Sequence, residues 1–159
     1  MRRKNSEKFS ERYVTDTGVL VESIIENSPY RGSVTRLLNN TLKKTIELYV
    51  TPLTISELLY VASKVYEAAA IKDYNAEALN FLEWLLAKAK ITEVTPEISF
   101  KAGEIRKMLK IALPDCYVIA TAIKLQAKAL FLKPEKEMLT KLEDLKKLPI
   151  IFLTEAEVP

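Results

Sequence analysis

The chain predicts an α/β fold, a single three-layer α/β/α sandwich around a central, mainly parallel five-stranded sheet. Three observations lead there. Short β-branched and apolar runs recur between longer stretches of helical periodicity. Strands separated by helices imply parallel β–α–β units, with helices covering both faces of the sheet. At 159 residues, 48% of them apolar and only three of them glycine, the chain suffices for one well-buried domain and is short for two.

Taken in order, "RYVT" (12–15) is a short β-type run and "GVLVESIIEN" is helical, up to a break at Ser28–Pro29. "YRGSVTRLLNNTLKK" resumes as helix, and "IELYVT" (46–51) alternates like a strand. Pro52 opens a long helix with Ile55, Leu58, Leu59 and Ala62 on one stripe. "KDYN" (72–75) is a turn and "AEALNFLEWLLAKA" a second amphipathic helix, which together make an αα-hairpin. "ITEV" (91–94) is the third strand, and helix runs from Pro96 through "EISFKAGEIRKMLK". After "IALP", Asp115 caps the helix "DCYVIATAIKLQ". "ALFL" (129–132) and "IIFL" (150–153) are the last two strands, with "EKEMLTKLEDLKKL" helical between them. No repeat or linker interrupts residues 12–159, so they form one domain. Residues 1–11 precede it as a basic tail, expected to be flexible.

Composition excludes several chemistries. There is no histidine, which removes Ser-His-Asp and Cys-His nucleophilic catalysis and the His-containing zinc motifs. A lone cysteine, Cys116, builds neither a disulfide within the chain nor a thiolate metal cage, and it fits a reducing compartment. With Gly18, Gly32 and Gly103 the only glycines, there is no Gly-rich phosphate loop. "MRRKNSEKFSER" lacks an apolar signal segment and no later run approaches a membrane span, so a cytoplasmic protein is expected. Residues 1–12 hold five basic and two acidic groups and so carry the whole net charge of +3. Such an arm contacts phosphate non-specifically or is simply a solvated terminus. Any catalysis must rest on carboxylates, lysines, hydroxyls and metal ions.

Four acids stand out. Ligands of parallel sheets gather at the carboxyl ends of the strands, near the topological switch point. Asp16 ends the first strand, Glu57 lies early in the helix after the second, Asp115 opens the helix before the fourth, and Glu135 follows the fourth. Each has an ordinary explanation. Asp16 and Asp115 make good helix caps, and Glu135 and Glu137 suit a helix N-terminus. Glu57 shares a partly apolar stripe with Leu53, Tyr60 and Val61, where it needs a partner such as Lys64 or an arginine. Together they suggest a shared site. Carboxylates crowded together repel and raise one another's pKa unless a cation sits among them. Oxygen ligands without His or Cys suit Mg²⁺ or Mn²⁺, the ions of phosphodiester hydrolysis.

The ordered set "YVTDTGVLVESI", "LYVTPLTISELLYV" and "AGEIRKM…LPDCYVIATAIKLQAKALFLKPEKEM" resembles the PIN domain family, and within it the toxins of prokaryotic VapBC-type toxin–antitoxin pairs. The resemblance runs from about residue 12 to 153. It implies that Asp16, Glu57, Asp115 and Glu135 hold one or two Mg²⁺ or Mn²⁺ ions in a metal-dependent endoribonuclease that leaves 5′-phosphate and 3′-hydroxyl ends. In that role Asp16 and Asp115 are direct ligands, Glu57 binds metal or orients the attacking water, and Glu135 helps through water. Two departures stand out. Lys133-Pro134-Glu135-Lys136-Glu137-Met138 occupies the place of a segment resembling T-x-D-x-D-F, and Gly18 stands where a small hydroxyl or amide residue is common.

The resemblance further implies a homodimer and a small antitoxin whose C-terminal segment covers the site. The αα-hairpin "LLYVASKVYEAAA" through "FLEWLLAKA", with Trp84, has the profile of such an interface or of packing within one chain. Arg106, Lys107, Lys110 and Lys133 are candidate RNA contacts, or a solvated face. Tyr60 and Tyr117 either stack on bases or belong to the core and its rim. The alternative reading is a PIN-like scaffold, weak or inactive in catalysis, that binds RNA or protein.

Overall fold

The computed structural model describes residues 11–156 and 158. The expected tail lies outside these residues except for Glu11, which already belongs to the first strand. That strand, β1 (Glu11–Thr15), leads into α1 (Thr17–Val21) and α2 (Arg31–Leu42). β2 (Ile46–Val50) is followed by the hairpin α3 (Pro52–Ala68) and α4 (Tyr74–Leu86). After β3 (Lys90–Ile91) come α5 (Pro96–Leu109) and α6 (Leu113–Leu125). β4 (Lys128–Phe131), α7 (Lys136–Leu139), α8 (Leu142–Leu145) and β5 (Ile150–Phe152) complete the order.

The five strands form one sheet in the order β3-β2-β1-β4-β5, and every pairing is parallel. The α/β/α sandwich predicted from the sequence is the fold. Alternation along β1 sends Tyr13 to one face and Val14 to the other, and the register pairs them with Leu48 and Tyr49 of β2. Each face therefore has its own core. Tyr13, Leu48, Val50 and Leu130 pack under α1–α4, whereas Val14, Ala129, Phe131 and Phe152 pack under α5–α8. The buried Tyr13 hydroxyl donates to Glu11.

Local chemistry sets the helix starts. Thr51 and Thr95 cap α3 and α5, their hydroxyls accepting from the backbone N–H of Thr54 (3.1 Å) and Ile98 (3.2 Å). Pro52 and Pro96 follow them in the first turn, where a missing N–H costs nothing.

Some boundaries differ from the sequence reading. The expected helix through residue 27 stops at Val21, because Glu22, Ser23 and Ile24 turn back to Val19, Leu20 and Val21 and the Ser23 hydroxyl donates to Leu20 (2.7 Å). The expected last helix is two short ones, parted where Thr140 donates to the Glu137 carbonyl (3.1 Å). The third strand is Lys90–Ile91 and not 91–94, since the chain leaves the sheet to reach the Thr95 cap.

Candidate active site

β1 delivers Asp16 to the edge of the sheet. The Asp16 N–H donates to the Leu130 carbonyl (3.0 Å), which ties it to the carboxyl ends of β1 and β4. From there the connections run to opposite sides, β1 toward β2 and β4 toward β5, so Asp16 stands at the topological switch point. Its backbone is extended, and its side chain caps α1 by accepting the Gly18 N–H at 3.0 Å. Only 7% of Asp16 is exposed. Burial outweighs the favourable Gly18 and Thr17 backbone bonds, and with Glu57 and Glu135 nearby the carboxyl is pushed up to about 6.

Asp115 corrects the sequence reading. The helix starts at Leu113 with Ala112 as its cap residue, so Asp115 lies inside the first turn of α6 and caps nothing. Pro114 takes a first-turn position ahead of it, which moves the start of the helix upstream. Asp115 is 5% exposed, and its Oδ2 is buried without a hydrogen-bond partner. An acid in a first helical turn ordinarily gains from the helix dipole. Here burial dominates, and the charges of Asp16, Glu135, Glu57 and Glu137 add to it. Together they push the carboxyl up to about 8.

Glu57 is exposed, not held in an apolar stripe, because the buried face of α3 runs through Thr54, Leu58 and Ala62. Lys64, its suggested partner, pairs instead with Glu67 at 2.9 Å. Glu135 stands at the cap position of α7, but its side chain caps nothing, and burial with Glu137 and Glu57 raises its carboxyl. Glu57 and Glu135 thus bear on both aspartates. Glu137, to which the sequence reading gave no site role, acts on Asp115 and Glu135 as well. The signal for it was the alternation of acids in "KPEKE".

None of the ion pairs among the described residues engages Asp16, Glu57, Asp115, Glu135 or Glu137. The basic candidates lie elsewhere or point outward. Arg106 donates to the Ile111 carbonyl at 2.7 Å, bracing the turn between α5 and α6, and its charge bears on Cys116. Lys107, Lys110 and Lys133 are exposed. The Tyr117 hydroxyl lies 3.1 Å from Ser99 Oγ, whereas Tyr60 is 64% exposed.

An acidic cluster with an orphaned, buried carboxylate oxygen and no counter-charge among the described residues has a deficit of positive charge there. Its donors are all oxygens, which suits a hard divalent cation such as Mg²⁺ or Mn²⁺. Cys116 is turned away, its thiol directed at the Ile111 carbonyl within the second core. Among the described residues no three acidic or cysteine side chains are arranged to hold a metal ion together.

Sheet order, the switch-point aspartate and the acids around it define an α/β protein with a carboxylate site at one end of a parallel sheet. The chain belongs to the PIN domain family, whose model matches residues 13–149. Its fold is similar to VapBC2 from Rickettsia felis, solved with a DNA fragment from their promoter. That likeness has a TM-score of 0.65 and 20% identity, and covers 89% of this chain and 98% of that one. VapBC-1 from nontypeable Haemophilus influenzae has a TM-score of 0.62 and 15% identity, with 90% and 98% covered. VapC20 from Mycobacterium tuberculosis, a sarcin–ricin loop cleaving toxin, has a TM-score of 0.57 and 13% identity, with 74% and 86% covered. No curated protein matches the chain.

Proposed function

We propose that the protein is a metal-dependent endoribonuclease, the toxin of a toxin–antitoxin pair. The observation that carries this reading is the meeting of Asp16 and Asp115. Both are buried, both have raised carboxyls, and one has an oxygen without a partner. Asp16 and Asp115 hold the divalent ion, with Glu57 and Glu135 completing the set. When bound, Mg²⁺ or Mn²⁺ neutralises phosphate oxygens and makes water a stronger nucleophile.

The chain's own residues do the rest. Asp16 keeps one carboxylate oxygen fixed on the Gly18 amide, which sets the angle of the other. Glu57, exposed at the rim, takes a proton from the attacking water as its oxygen bonds to phosphorus, while the bond from phosphorus to the 3′ oxygen breaks in line and that oxygen leaves with a proton from solvent. Glu135 bounds the site on the β4 side. Lys107, Lys110 and Lys133 are free on the surface to meet the RNA backbone, while Arg106 acts mainly as a brace.

Family membership and the fold shared with VapBC complexes support a small antitoxin as partner, and a homodimer is proposed beside it. Much of the αα-hairpin's apolar surface is consumed within the chain, at Leu58, Ala62, Ala78, Phe81, Leu82 and Leu85. Trp84 remains 46% exposed, stacked on Phe81 and overlain by Lys88, and is the focus of the proposed protein interface. No described helix is long and apolar enough to cross a membrane, and the proposed place of action is the cytoplasm.

The test is incubation of mixed single-stranded RNAs with Mn²⁺ and the parent protein, beside Asp16→Asn and Asp115→Asn. Cleavage by the parent that both variants lose is expected. RNA binding without cleavage in Mg²⁺ and Mn²⁺ would favour a non-catalytic scaffold.

A further inference from the structure

Beside Glu57, α3 and α4 enclose a groove of about 270 Å³ lined by Ser56, Leu59, Tyr60, Ser63, Asn75 and Leu79. We propose that this groove is the subsite for an unpaired nucleobase next to the scissile phosphate, with the Tyr60 ring as its stacking platform. The assignment rests on the ribonuclease reading above.

Three observations carry it. The first is position. Residues three apart on a helix have Cβ atoms about 5–6 Å apart, so Tyr60 adjoins Glu57 on the surface of α3. The groove therefore begins one helical turn from Glu57, whose charge bears on Asp16 and Asp115. The second is the ring itself. Tyr60 is 64% exposed, on the side of α3 away from the buried Thr54, Leu58 and Ala62. Tyr117 spends its hydroxyl on Ser99, whereas the Tyr60 ring is open to solvent. An exposed π-face takes any base, because every base has one.

The third is charge. None of the six lining residues is charged, although they adjoin a strongly acidic site. A phosphate gains nothing from a neutral groove beside carboxylates, whereas a neutral heterocycle does. The groove is also smaller than the roughly 300–1,000 Å³ of a drug-sized ligand pocket, which suits a single base. Two of the four polar side chains are already occupied. Ser56 donates to Pro52 (3.1 Å) and Ser63 to Tyr60 (2.7 Å), so their hydroxyls hold the helix and offer only lone pairs outward. Asn75 is exposed at the start of α4 and offers an amide that both donates and accepts at a base edge.

The substrate is accordingly single-stranded at the cut, since a base held in a duplex cannot reach the ring. Binding of labelled single-stranded RNA octamers in EDTA tests this without catalysis, using the parent, Tyr60→Phe and Tyr60→Ala. An abasic octamer of the same length serves as the control. Tyr60→Phe should bind as the parent does. Tyr60→Ala should bind base-bearing octamers about 5- to 100-fold more weakly, with no change on the abasic strand. Equal binding by Tyr60→Ala, or an equal loss on the abasic strand, would overturn the subsite. If the parent still cleaves RNA with Mn²⁺ in that case, only the subsite falls. If the parent neither binds nor cleaves, the ribonuclease reading falls with it.

Discussion

Asp16 is the charge that acts most strongly on Asp115, although most of the domain's chain separates the two residues. One ends β1 and the other opens α6, and the parallel sheet folds both onto the switch point between β1 and β4. Neither is compensated by a cation among the described residues, and that lack gives the site its chemistry.

The first consequence is a pH dependence of stability. Both carboxyls are held above the ordinary 3.8, near 6 and near 8, so the folded protein keeps protons that the unfolded chain has lost. The metal-free protein is therefore most stable below about pH 4, as far as these groups are concerned, and loses stability as pH climbs through 6 and 8. Asp115→Asn should stabilise the metal-free fold by on the order of 3 kcal/mol at pH 8 and by little at pH 4. Urea unfolding in EDTA at the two pH values measures this.

Glu57 behaves differently because it is exposed. Glu57→Gln should leave unfolding free energy within ~0.5 kcal/mol of the parent. The same change should lower RNA cleavage by about 10²-fold or more, as removal of a general base does. Thermal melts and single-turnover cleavage, run side by side, separate the two effects.

Gly18 supplies the amide that fixes Asp16, and a Cβ at this position would lie 3.2 Å from Asp16 Oδ2. That contact is tight enough for the carboxylate to give way. Gly18→Ala should weaken Mn²⁺ binding by about 10-fold, the scale of a disturbed metal-ligand orientation. Circular dichroism should show the fold intact.

Ala70 ends the first arm of the hairpin in a left-handed conformation with φ of 57°. Its Cβ crowds the following carbonyl there, and glycine does not. Ala70→Gly should stabilise the protein by ~1 kcal/mol in denaturant unfolding, with cleavage unaffected.

The sequence and the structure agree where periodicity or cap chemistry is strong. Pro52 and Pro96 after threonine announce α3 and α5, and the alternation in "IELYV" announces β2. The four acids could be proposed as a set because a parallel sheet brings the carboxyl ends of its strands together. What the sequence concealed was each acid's immediate surroundings. Asp115 reads as a cap from its place after Pro114, and only the helix start at Leu113 shows it buried and unpartnered. Glu57 reads as half-buried, yet α3 turns it outward and gives Lys64 to Glu67. Serine and threonine back-bonds at Ser23 and Thr140 ended helices that hydrophobic spacing alone would have continued.

The central claim is that Asp16 and Asp115 hold a divalent cation, and calorimetric titration with Mn²⁺ tests it most directly. At pH 7.5 the Asp115 carboxyl, pushed up to about 8, is largely protonated in the metal-free protein, so binding must release its proton. Titrations in buffers of different ionisation enthalpy should report saturable binding with release of about one proton, and Asp115→Asn should abolish both. Binding that is absent in the parent, or that persists unchanged in Asp115→Asn without proton release, would contradict the claim.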